Sequence, residues 1–162
     1  MNHPGKLRNM ASVYIRRNGK ILLLWRQGNS IVNNLWIGSA GGHFTCDELN
    51  DAKACVLREL KEETSLEESH LSNLSLRYIT LRHIDGEVRQ NYYFFADLSE
   101  NAPDEITSNE GKLHWFTAPE LAALPMPFTA RFMIDHYLVT GQFSEDLYGG
   151  IADNETVTFM KL

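Results

Sequence analysis

The stretch RELKEE, Arg58 to Glu63, is the most informative part of this sequence for fold and function, because it places three carboxylates on adjoining turns of one predicted helix. These turns lie near the C-terminal end of the helix, where the backbone carries partial negative charge and each carboxylate costs about 0.3–1 kcal/mol. Glu59 also faces Glu62 and Glu63 at i+3 and i+4, which are repulsive pairs. Folding alone gives no reason for this cluster, whereas a bound divalent cation would turn its members into ligands.

Length and composition are those of an ordinary globular protein, and the net charge argues against some classes of binding partner. At 162 residues the chain is expected to form a single domain over residues 1–162. Its net charge of −6 argues against broad binding to nucleic acid or to anionic membranes, although phosphate compounds could still bind through metal ions. No apolar run is long enough to span a bilayer, and the N-terminus lacks the apolar core of a signal peptide. Two cysteines without a CxxC pattern predict reduced thiols, so we expect a cytoplasmic protein.

Turn signals and hydrophobic periodicity predict an α+β fold. β-rich runs flank Asn18-Gly19 and Asp85-Gly86, two dipeptides typical of tight hairpin turns. Apolar residues at helical spacing predict a helix from about Asn50 or Asp51 to Thr64, and further helices are expected to begin at Ala118 and Phe128. The order of strands, helix, strands and helices indicates a mixed sheet between helices.

Three further segments complete this prediction. Residues 27–35 are polar and are expected to form a loop, and residues 148–159 are expected to form a terminal strand or hairpin. Between them, Gly38, Gly41 and Gly42 surround Ser39-Ala40, so the backbone there can approach another group closely.

Residues 36–66 resemble the signature of the Nudix (MutT-type) hydrolases. That signature runs G-x5-E-x7-R-E-U-x-E-E-x-G-U, where U is a bulky aliphatic residue, and its fixed positions are filled here by Gly42, Glu48, Arg58, Glu59, Glu62 and Glu63. Trp36 and the Gly41-Gly42 pair are similar to the strand and double glycine that lead into the signature. The resemblance implies a Nudix-like α/β/α sandwich with a mixed β-sheet between helices.

Two positions depart from the family signature. Nine residues separate Glu48 from Arg58 instead of seven, so the segment between the glycine and the helix is two residues longer. The helical half keeps its register, and we therefore expect the metal cluster to survive, whereas the role of Glu48 depends on where the insertion lies. Ser65 replaces the glycine that ends the helix in a left-handed conformation, which should cost about 1 kcal/mol of stability without loss of activity.

The resemblance implies a hydrolase that depends on Mg²⁺, for which Mn²⁺ could substitute. Glu62 and Glu63 are the implied metal ligands, and Glu59 is either a ligand or the base that takes a proton from water. Arg58 would hold Glu59 or Glu62 by a charge-assisted hydrogen bond. Magnesium ions would neutralise the repelling charges of a diphosphate and orient the attacking water.

Further metal ligands are implied outside this helix cluster. The backbone carbonyl of Gly42 and the carboxylate of Glu48 would complete the metal shell. Many members of the family use another acid from a later loop, and Glu110 is the best placed here, ahead of Glu105 and Glu87. Each of these three could instead be an ordinary exposed loop carboxylate.

Candidate substrate contacts surround the glycine pair, namely Gly41, Gly42, His43 and Trp36. His43 could approach a phosphate, although a lone loop histidine is more often a bystander. Trp36 could stack on a nucleobase or could belong to the hydrophobic core.

The resemblance implies hydrolysis of a nucleoside diphosphate that is linked to another group. The Trp36-x-Gly-x-x-Gly-Gly segment is most similar to nucleoside triphosphate pyrophosphatases that remove oxidised purine nucleotides, which predicts a monophosphate and pyrophosphate as products. Ile37 stands where the vertebrate-type enzyme has an asparagine that reads the base, so purine recognition is not carried over.

Two other functions stay open at this point. One is a catalytically silent nucleotide-sensing module on the same fold, although such modules commonly lose the carboxylates that this chain keeps. The other is isomerase chemistry of the isoprenoid type, which needs a catalytic cysteine, and Cys46 lies in no motif typical of it. For the hydrolase the expected partner is a small nucleotide, and exposed strand edges could form a homodimer.

Overall fold

The structure, a computed structural model, describes His3 and residues 5–26 and 34–162. Nearly all of the loop predicted over residues 27–35 therefore lies outside the described residues. The described part contains nine strands, β1 (Lys6–Arg17), β2 (Lys20–Arg26), β3 (Leu35–Ile37), β4 (Ala40–His43), β5 (Leu71–Ile84), β6 (Glu87–Leu98), β7 (Gly111–Thr117), β8 (Tyr148–Ala152) and β9 (Val157–Lys161). Its α-helices are α1 (Ala52–Thr64), α2 (Ala118–Leu121) and α3 (Phe128–Val139).

All nine strands belong to one mixed sheet whose central member is β1. The order is β3-β2-β1-β6-β5-β8-β9, with β4 paired to β1 and β7 paired to β2. The β1–β6 and β5–β8 pairs are parallel, and the other pairs are antiparallel. Because β1 pairs with β2 only through Ile15 to Arg17 and with β4 through Met10 to Val13, the two partners share one edge of β1. The sheet therefore opens beside β4, where the glycine pair lies.

Helices cover both faces of this sheet, so the α/β/α sandwich expected from the sequence is confirmed. The face toward α1 buries Cys55, Val56 and Leu60 against Phe94 and neighbouring strand residues. The opposite face buries a second cluster, and α3 contributes to it Ala130, Met133, Ile134 and Tyr137. No helix in the described ranges is both long and apolar enough to cross a membrane.

The turns follow the sequence signals closely. Asn18-Gly19 joins β1 to β2 and Asp85-Gly86 joins β5 to β6, and all four residues have positive φ as tight hairpin turns require. Helix α1 begins at Ala52, where the side chain of Asp51 accepts a hydrogen bond from the backbone N–H of Ala54 at 3.0 Å. Thr117 precedes α2, and its side chain makes no capping hydrogen bond.

Ser39 fixes the entry of the chain into β4. Its buried hydroxyl donates to the carbonyl of Leu22 at 2.5 Å and accepts from the N–H of Ile15 at 3.0 Å. One side chain thus joins β1 and β2 at the point where the two strands separate. This anchor holds Gly41 and Gly42, which follow directly, against the opening in the sheet.

Candidate active site

Helix α1 presents its acidic residues toward the glycine pair because its apolar stripe is buried on the sheet. The helix ends at Ser65, which adopts the left-handed conformation with φ of 64° and donates its N–H to the carbonyl of Lys61 at 3.0 Å. Serine therefore fills the position where the signature has glycine without changing the geometry of the cap. The carboxylates at positions 59, 62 and 63 keep the register that the signature requires.

Arg58 lies at the centre of a network of carboxylates. Its Nε donates to Glu48 at 2.8 Å, and its Nη1 donates to Glu59 at 2.9 Å and to Glu62 at 3.1 Å. The remaining nitrogen donates to the carbonyl of His43 at 3.1 Å. These anionic partners raise the pKa of Arg58, which stays charged at any physiological pH. One guanidinium therefore holds three acidic side chains and the start of the inserted loop.

The two-residue insertion leaves the position of Glu48 intact. Glu48 ends a short 3-10 helix, Cys46–Glu48, and the extra length forms an exposed turn at Leu49 and Asn50. Burial raises the pKa of Glu48, but hydrogen bonds from Arg58 and Thr45 outweigh burial and bring this pKa down to about 2. Its Oε2 is buried and has no hydrogen-bond partner among the described residues. Glu48 is thus an ionised carboxylate with one oxygen engaged and one available.

Glu59 and Glu63 face the backbone of the glycine pair. Glu63 Oε2 accepts a hydrogen bond from the N–H of Gly41 at 3.4 Å, and the carboxylate of Glu59 lies where a side chain on Gly42 would stand. Any residue larger than glycine at position 42 would displace Glu59. Burial, together with the charges of Glu59 and Glu110, raises the pKa of Glu63 to about 7. The raised pKa means that burial, and to a smaller extent the neighbouring carboxylates, favours the protonated form of Glu63.

Glu110 reaches the same cluster through the loop before β7. Asn109 donates from its backbone to the carbonyl of Glu63 at 3.0 Å and from its side chain to the carbonyl of Glu62 at 2.9 Å. These bonds satisfy carbonyls at the end of α1 and fix the loop beside the helix. Glu110 pairs with Arg26 at 3.5 Å and is close enough to raise the pKa of Glu63.

The donor atoms suit a hard divalent cation. Carboxylate oxygens of Glu59, Glu62, Glu63 and Glu110 and the carbonyl of Gly42 are all-oxygen ligands of the kind that Mg²⁺ prefers. Among the described residues, no three acidic, histidine or cysteine side chains converge as a closed metal cage. The reason is visible in the contacts, because Arg58 holds Glu59 and Glu62 while Glu63 bonds to Gly41. The residues fit the metal in identity and charge.

A cleft of about 190 Å³ opens on the other side of the glycine pair. Gly38, Gly41 and Gly42 form one wall, and the N-terminal residues of α3 form another. Strand residues make up the floor, including Arg8, Asn91, Tyr93, Arg82 and Arg89. The cleft is therefore continuous with the backbone against which Glu59 and Glu63 lie.

Trp36 and His43 lie outside the lining of this cleft. Trp36 packs edge-on against Phe116 with ring centroids 4.7 Å apart and also contacts Trp25, so its ring belongs to the core. His43 contacts Arg8 through Nε2 at 3.0 Å, and burial and the charge of Arg8 lower its pKa. The neighbouring Ile37 lines the cleft in place of Trp36.

Sequence reasoning missed several residues that the fold brings to the site. Asn109, which positions Glu110, and the cleft arginines at positions 8, 82 and 89 carry no recognisable local motif. The arginines are brought together by pairing of strands that are distant in the sequence. The only signal for this in the sequence is that these strand positions carry like charges.

The chain belongs to the Nudix family, since the family's NUDIX domain matches residues 6–137. None of the curated proteins matches the chain. The family membership expected from the RELKEE stretch is thereby confirmed. Strands β8 and β9 follow the matched region and extend the sheet beyond it.

Solved structures share the fold at low sequence identity. The MutT protein of Bacillus halodurans is 21% identical, with 95% of this chain and 97% of that chain covered and a TM-score of 0.65. A MutT Nudix hydrolase from Burkholderia pseudomallei is 24% identical over 80% of this chain and 97% of its own, with a TM-score of 0.63. An Ap4A hydrolase from C. elegans is 18% identical over 82% of this chain and 96% of its own, with a TM-score of 0.62.

Proposed function

We propose that this Nudix protein is a Mg²⁺-dependent hydrolase of nucleoside triphosphates, including oxidised ones, that releases a monophosphate and pyrophosphate. The observation that carries the proposal is the position of Glu59 and Glu63 against the Gly41-Gly42 backbone, at the wall of a cleft, with Glu110 close enough to act on the pKa of Glu63. Such a cluster costs folding free energy until a cation binds, and the bound cation then attracts an anionic ligand. Family membership supports the hydrolase class, and the choice of substrate is our own.

The residues of the site have different proposed roles. Glu59, Glu62 and Glu63, with Glu110 and the Gly42 carbonyl, would hold magnesium, which would supply charge neutralisation of the phosphates and an oriented water. Family resemblance also makes Glu59 the candidate base that would take the proton of that water. Arg58 orients Glu59 and Glu62 through hydrogen bonds of 2.9 and 3.1 Å, so we assign it a positioning role.

Glu48 serves mainly to hold Arg58 in this scheme. Its Oε1 is occupied by Arg58 at 2.8 Å and by Thr45 at 2.6 Å, which leaves Oε2 as the only oxygen that could reach a metal. His43 and Trp36 are retained as candidate substrate contacts, although their described contacts lie with Arg8 and with the core. The glycine pair would meet the phosphates through its backbone.

The proposal is tested by measuring pyrophosphate and phosphate release across dNTPs, 8-oxo-dGTP, ADP-ribose and dinucleoside polyphosphates, with Mg²⁺ and with EDTA. We expect release of pyrophosphate from triphosphates that EDTA abolishes. Glu63→Gln should lower turnover by orders of magnitude while the folded state persists. The control Glu145→Gln, an exposed carboxylate in the loop before β8, should leave turnover unchanged.

The nucleotide-sensing module is the second candidate, and the same panel separates it from the hydrolase. A nucleotide that raises the melting temperature in Mg²⁺ but is recovered intact would favour sensing. Isomerase chemistry through a thiol is less well supported, since burial raises the pKa of Cys55 to about 12 and Cys46 is exposed on the short 3-10 helix Cys46–Glu48. No turnover on any nucleotide would contradict the hydrolase.

Domain organisation, cellular location with binding partners, and oligomeric state are also proposed. We infer a single domain over residues 1–162, because β8 and β9 pair with β5 and each other in the same sheet. We also infer a cytoplasmic protein whose partner is a small nucleotide, without nucleic-acid or membrane binding, and fractionation of source cells would test the location. Strand β9 is a sheet edge through which a homodimer could form, which sedimentation velocity would test.

A further inference from the structure

The sheet has an uncovered area on the side where α1 packs. Helix α1 lies over β4 and β1, and Phe94 on β6 belongs to the apolar cluster beneath it. Side chains alternate along a strand, so Gln90, four positions before Phe94, is on the same side of the sheet. Gln90 is paired in register with Leu81 on β5, and Leu81 with Ile151 on β8. Leu81 and Ile151 therefore lie on the side of α1 but beyond the strands that this helix covers.

We call this uncovered area the open face. Its apolar members are Leu7, Ile79, Leu81, Val88, Ile151 and Met160. Leu7 is 54% exposed, Leu81 38%, Ile151 50% and Met160 48%. Together the six residues expose on the order of 400 Å², within the range of roughly 300–600 Å² found for the largest apolar patch on a monomer, which is often functional.

The open face also lacks charged side chains, although 22% of the residues in the chain are charged. The polar residues that share it are Asn9, His83, Gln90 and Thr158, and none of them is an aspartate, glutamate, lysine or arginine. A strand face that meets water is normally polar, and it alternates with an apolar face that is buried. The composition of the open face therefore indicates a surface that another molecule covers.

The charge of the whole chain favours a second copy as that molecule. Two chains that each carry a net charge of −6 repel one another wherever their charged surfaces meet. A two-fold axis places one surface against the same surface of the partner, so every contact occurs twice. At the open face this arrangement brings no like charges together, and apolar side chains meet apolar side chains.

The size of the open face also suits a dimer. A stable interface buries about 800 Å² of each partner, and about 65% of a homodimer interface is apolar. The apolar members of the open face supply most of that apolar part, and its polar residues lie between and around them.

A lipid surface fits the open face less well. Surfaces that bind the membrane interface combine apolar residues with lysine and arginine, which the open face does not contain. The turn between β8 and β9 adds Asp153 and Glu155, which anionic lipids would repel.

We propose that the open face is the interface of a homodimer in which two sheets pack face to face about a two-fold axis. Packed sheets lie about 10 Å apart, with their strands within about 30° of alignment. This arrangement differs from pairing through the β9 edge, which would extend one sheet instead of stacking two. The inference goes beyond the proposed hydrolase function and does not depend on it, because the cleft residues Tyr93 and Arg82 lie on the other side of the sheet.

Sedimentation velocity in EDTA, at protein concentrations from about 1 to 100 µM, tests the interface without substrate. The wild-type chain should change from monomer to dimer over this range. Ile151→Lys should weaken the dimer about a hundredfold or more, because the interface would then bury two unpaired charges. Ile151 is half exposed in a single copy, so circular dichroism at low concentration should show an intact fold.

Two further variants separate the interface from a general effect of charge. Val139→Lys is the matched control, because Val139 is 76% exposed on α3, outside the open face, and the dimer should persist. Thr158→Lys adds a charge at an exposed polar position of the open face, where no buried contact of a single copy is lost. This variant should be monomeric even if Ile151→Lys fails to fold.

Sodium chloride should strengthen the wild-type dimer or leave it unchanged, because salt screens the repulsion between two acidic chains. A dimer that salt dissociates, or one that persists in both Ile151→Lys and Thr158→Lys, would overturn the open face as the interface. A wild-type chain that stays monomeric would overturn it as well. If that monomer binds phosphatidylcholine vesicles and Ile151→Lys does not, the open face belongs to a lipid surface instead.

Discussion

At the scale of single residues, the site is dominated by carboxylates whose environments differ. Glu48 is buried but paired with Arg58, whereas Glu63 is partly buried beside like charges. The first environment favours the ionised form, and the second favours the protonated form. Two residues of the same type are thus suited to different tasks, one to hold a guanidinium and the other to receive a cation.

Glu63 gives the metal-free protein a pH dependence with a defined sign. Its pKa rises from 4.5 to about 7 on folding, so between these pH values the folded state binds more protons than the unfolded state. The free energy of unfolding therefore falls as pH rises through this window and stays low above it. Glu63→Gln in EDTA should be more stable than wild type at pH 8, and the difference should shrink toward pH 5.

Thermal melts of both proteins across this pH range would measure the effect. Glu145→Gln should follow the wild-type curve, because Glu145 lies in an exposed loop. A lower melting temperature for Glu63→Gln at pH 8 would mean that this carboxylate stabilises the fold.

The Glu48–Arg58 pair should show strong coupling in a double-mutant cycle. Arg58→Gln leaves Glu48 buried with an unpaired charge and should cost about 2 kcal/mol of stability. Glu48→Gln in the same background should recover part of that loss, since the buried charge is then gone. Additive losses in urea unfolding would contradict the pairing.

The Glu48–Arg58 pair also predicts how the free energy of unfolding falls at acidic pH. The pKa of Glu48 is lowered from 4.5 to about 2, so its contribution to stability is present above pH 4.5 and is lost as pH falls toward 2. This part of acid unfolding should be absent in Glu48→Gln.

At the scale of the element, α1 tolerates two departures from its family signature for physical reasons. The insertion is absorbed by an exposed turn before the Asp51 cap, and Ser65 accepts the left-handed conformation at the helix end. The buried residues Val56 and Leu60 fix the helix on the sheet, and the carboxylates keep their spacing along it.

Ser65→Gly should stabilise the protein modestly. Glycine removes the left-handed penalty of about 1 kcal/mol but adds freedom to the unfolded chain, so a net gain of about 0.5 kcal/mol is expected. Chemical denaturation would measure this gain, and turnover should not change. Ser65→Ala keeps a β-carbon and should give no gain, so equal stabilisation by alanine would show that the strain lies elsewhere.

At the scale of the whole molecule, the segment after the family match completes the sheet. Strand β8 pairs in parallel with β5, and β9 pairs with β8. Arg77 on β5 is buried and donates to the backbone carbonyls of Gly141, Ser144 and Asp146. The fold therefore depends on residues that lie beyond the signature and beyond the matched region.

Removal of residues 145–162 should abolish stable folding. The truncated chain would lose the Asp146 carbonyl, expose the edge of β5 and uncover apolar residues such as Tyr78. We expect aggregation or loss of the cooperative thermal transition, measured by circular dichroism and light scattering. A truncated chain that melts at the wild-type temperature would show that the two strands are dispensable.

Much of the fold and part of the site could be predicted from the sequence, because these features depend on interactions between residues that are close together in the chain. The hairpin turns at Asn18-Gly19 and Asp85-Gly86 act within a few residues, and the structure confirms both. Trp36 was left between core and substrate contact, because an aromatic strand residue is ambiguous until its neighbours are known. Contact with Phe116, eighty positions away, packs its partly buried ring against the core.

The sequence by itself determined the family, the helix of carboxylates and the hairpins, since each depends on residue spacing within one short segment. Tertiary structure alone decided that Arg8, Arg89 and Arg82 stand in a row, and that Asn109 carries Glu110 to the end of α1. Parallel pairing of β1 with β6 joins segments about eighty residues apart, and its register is set by burial of both sheet faces rather than by any local signal.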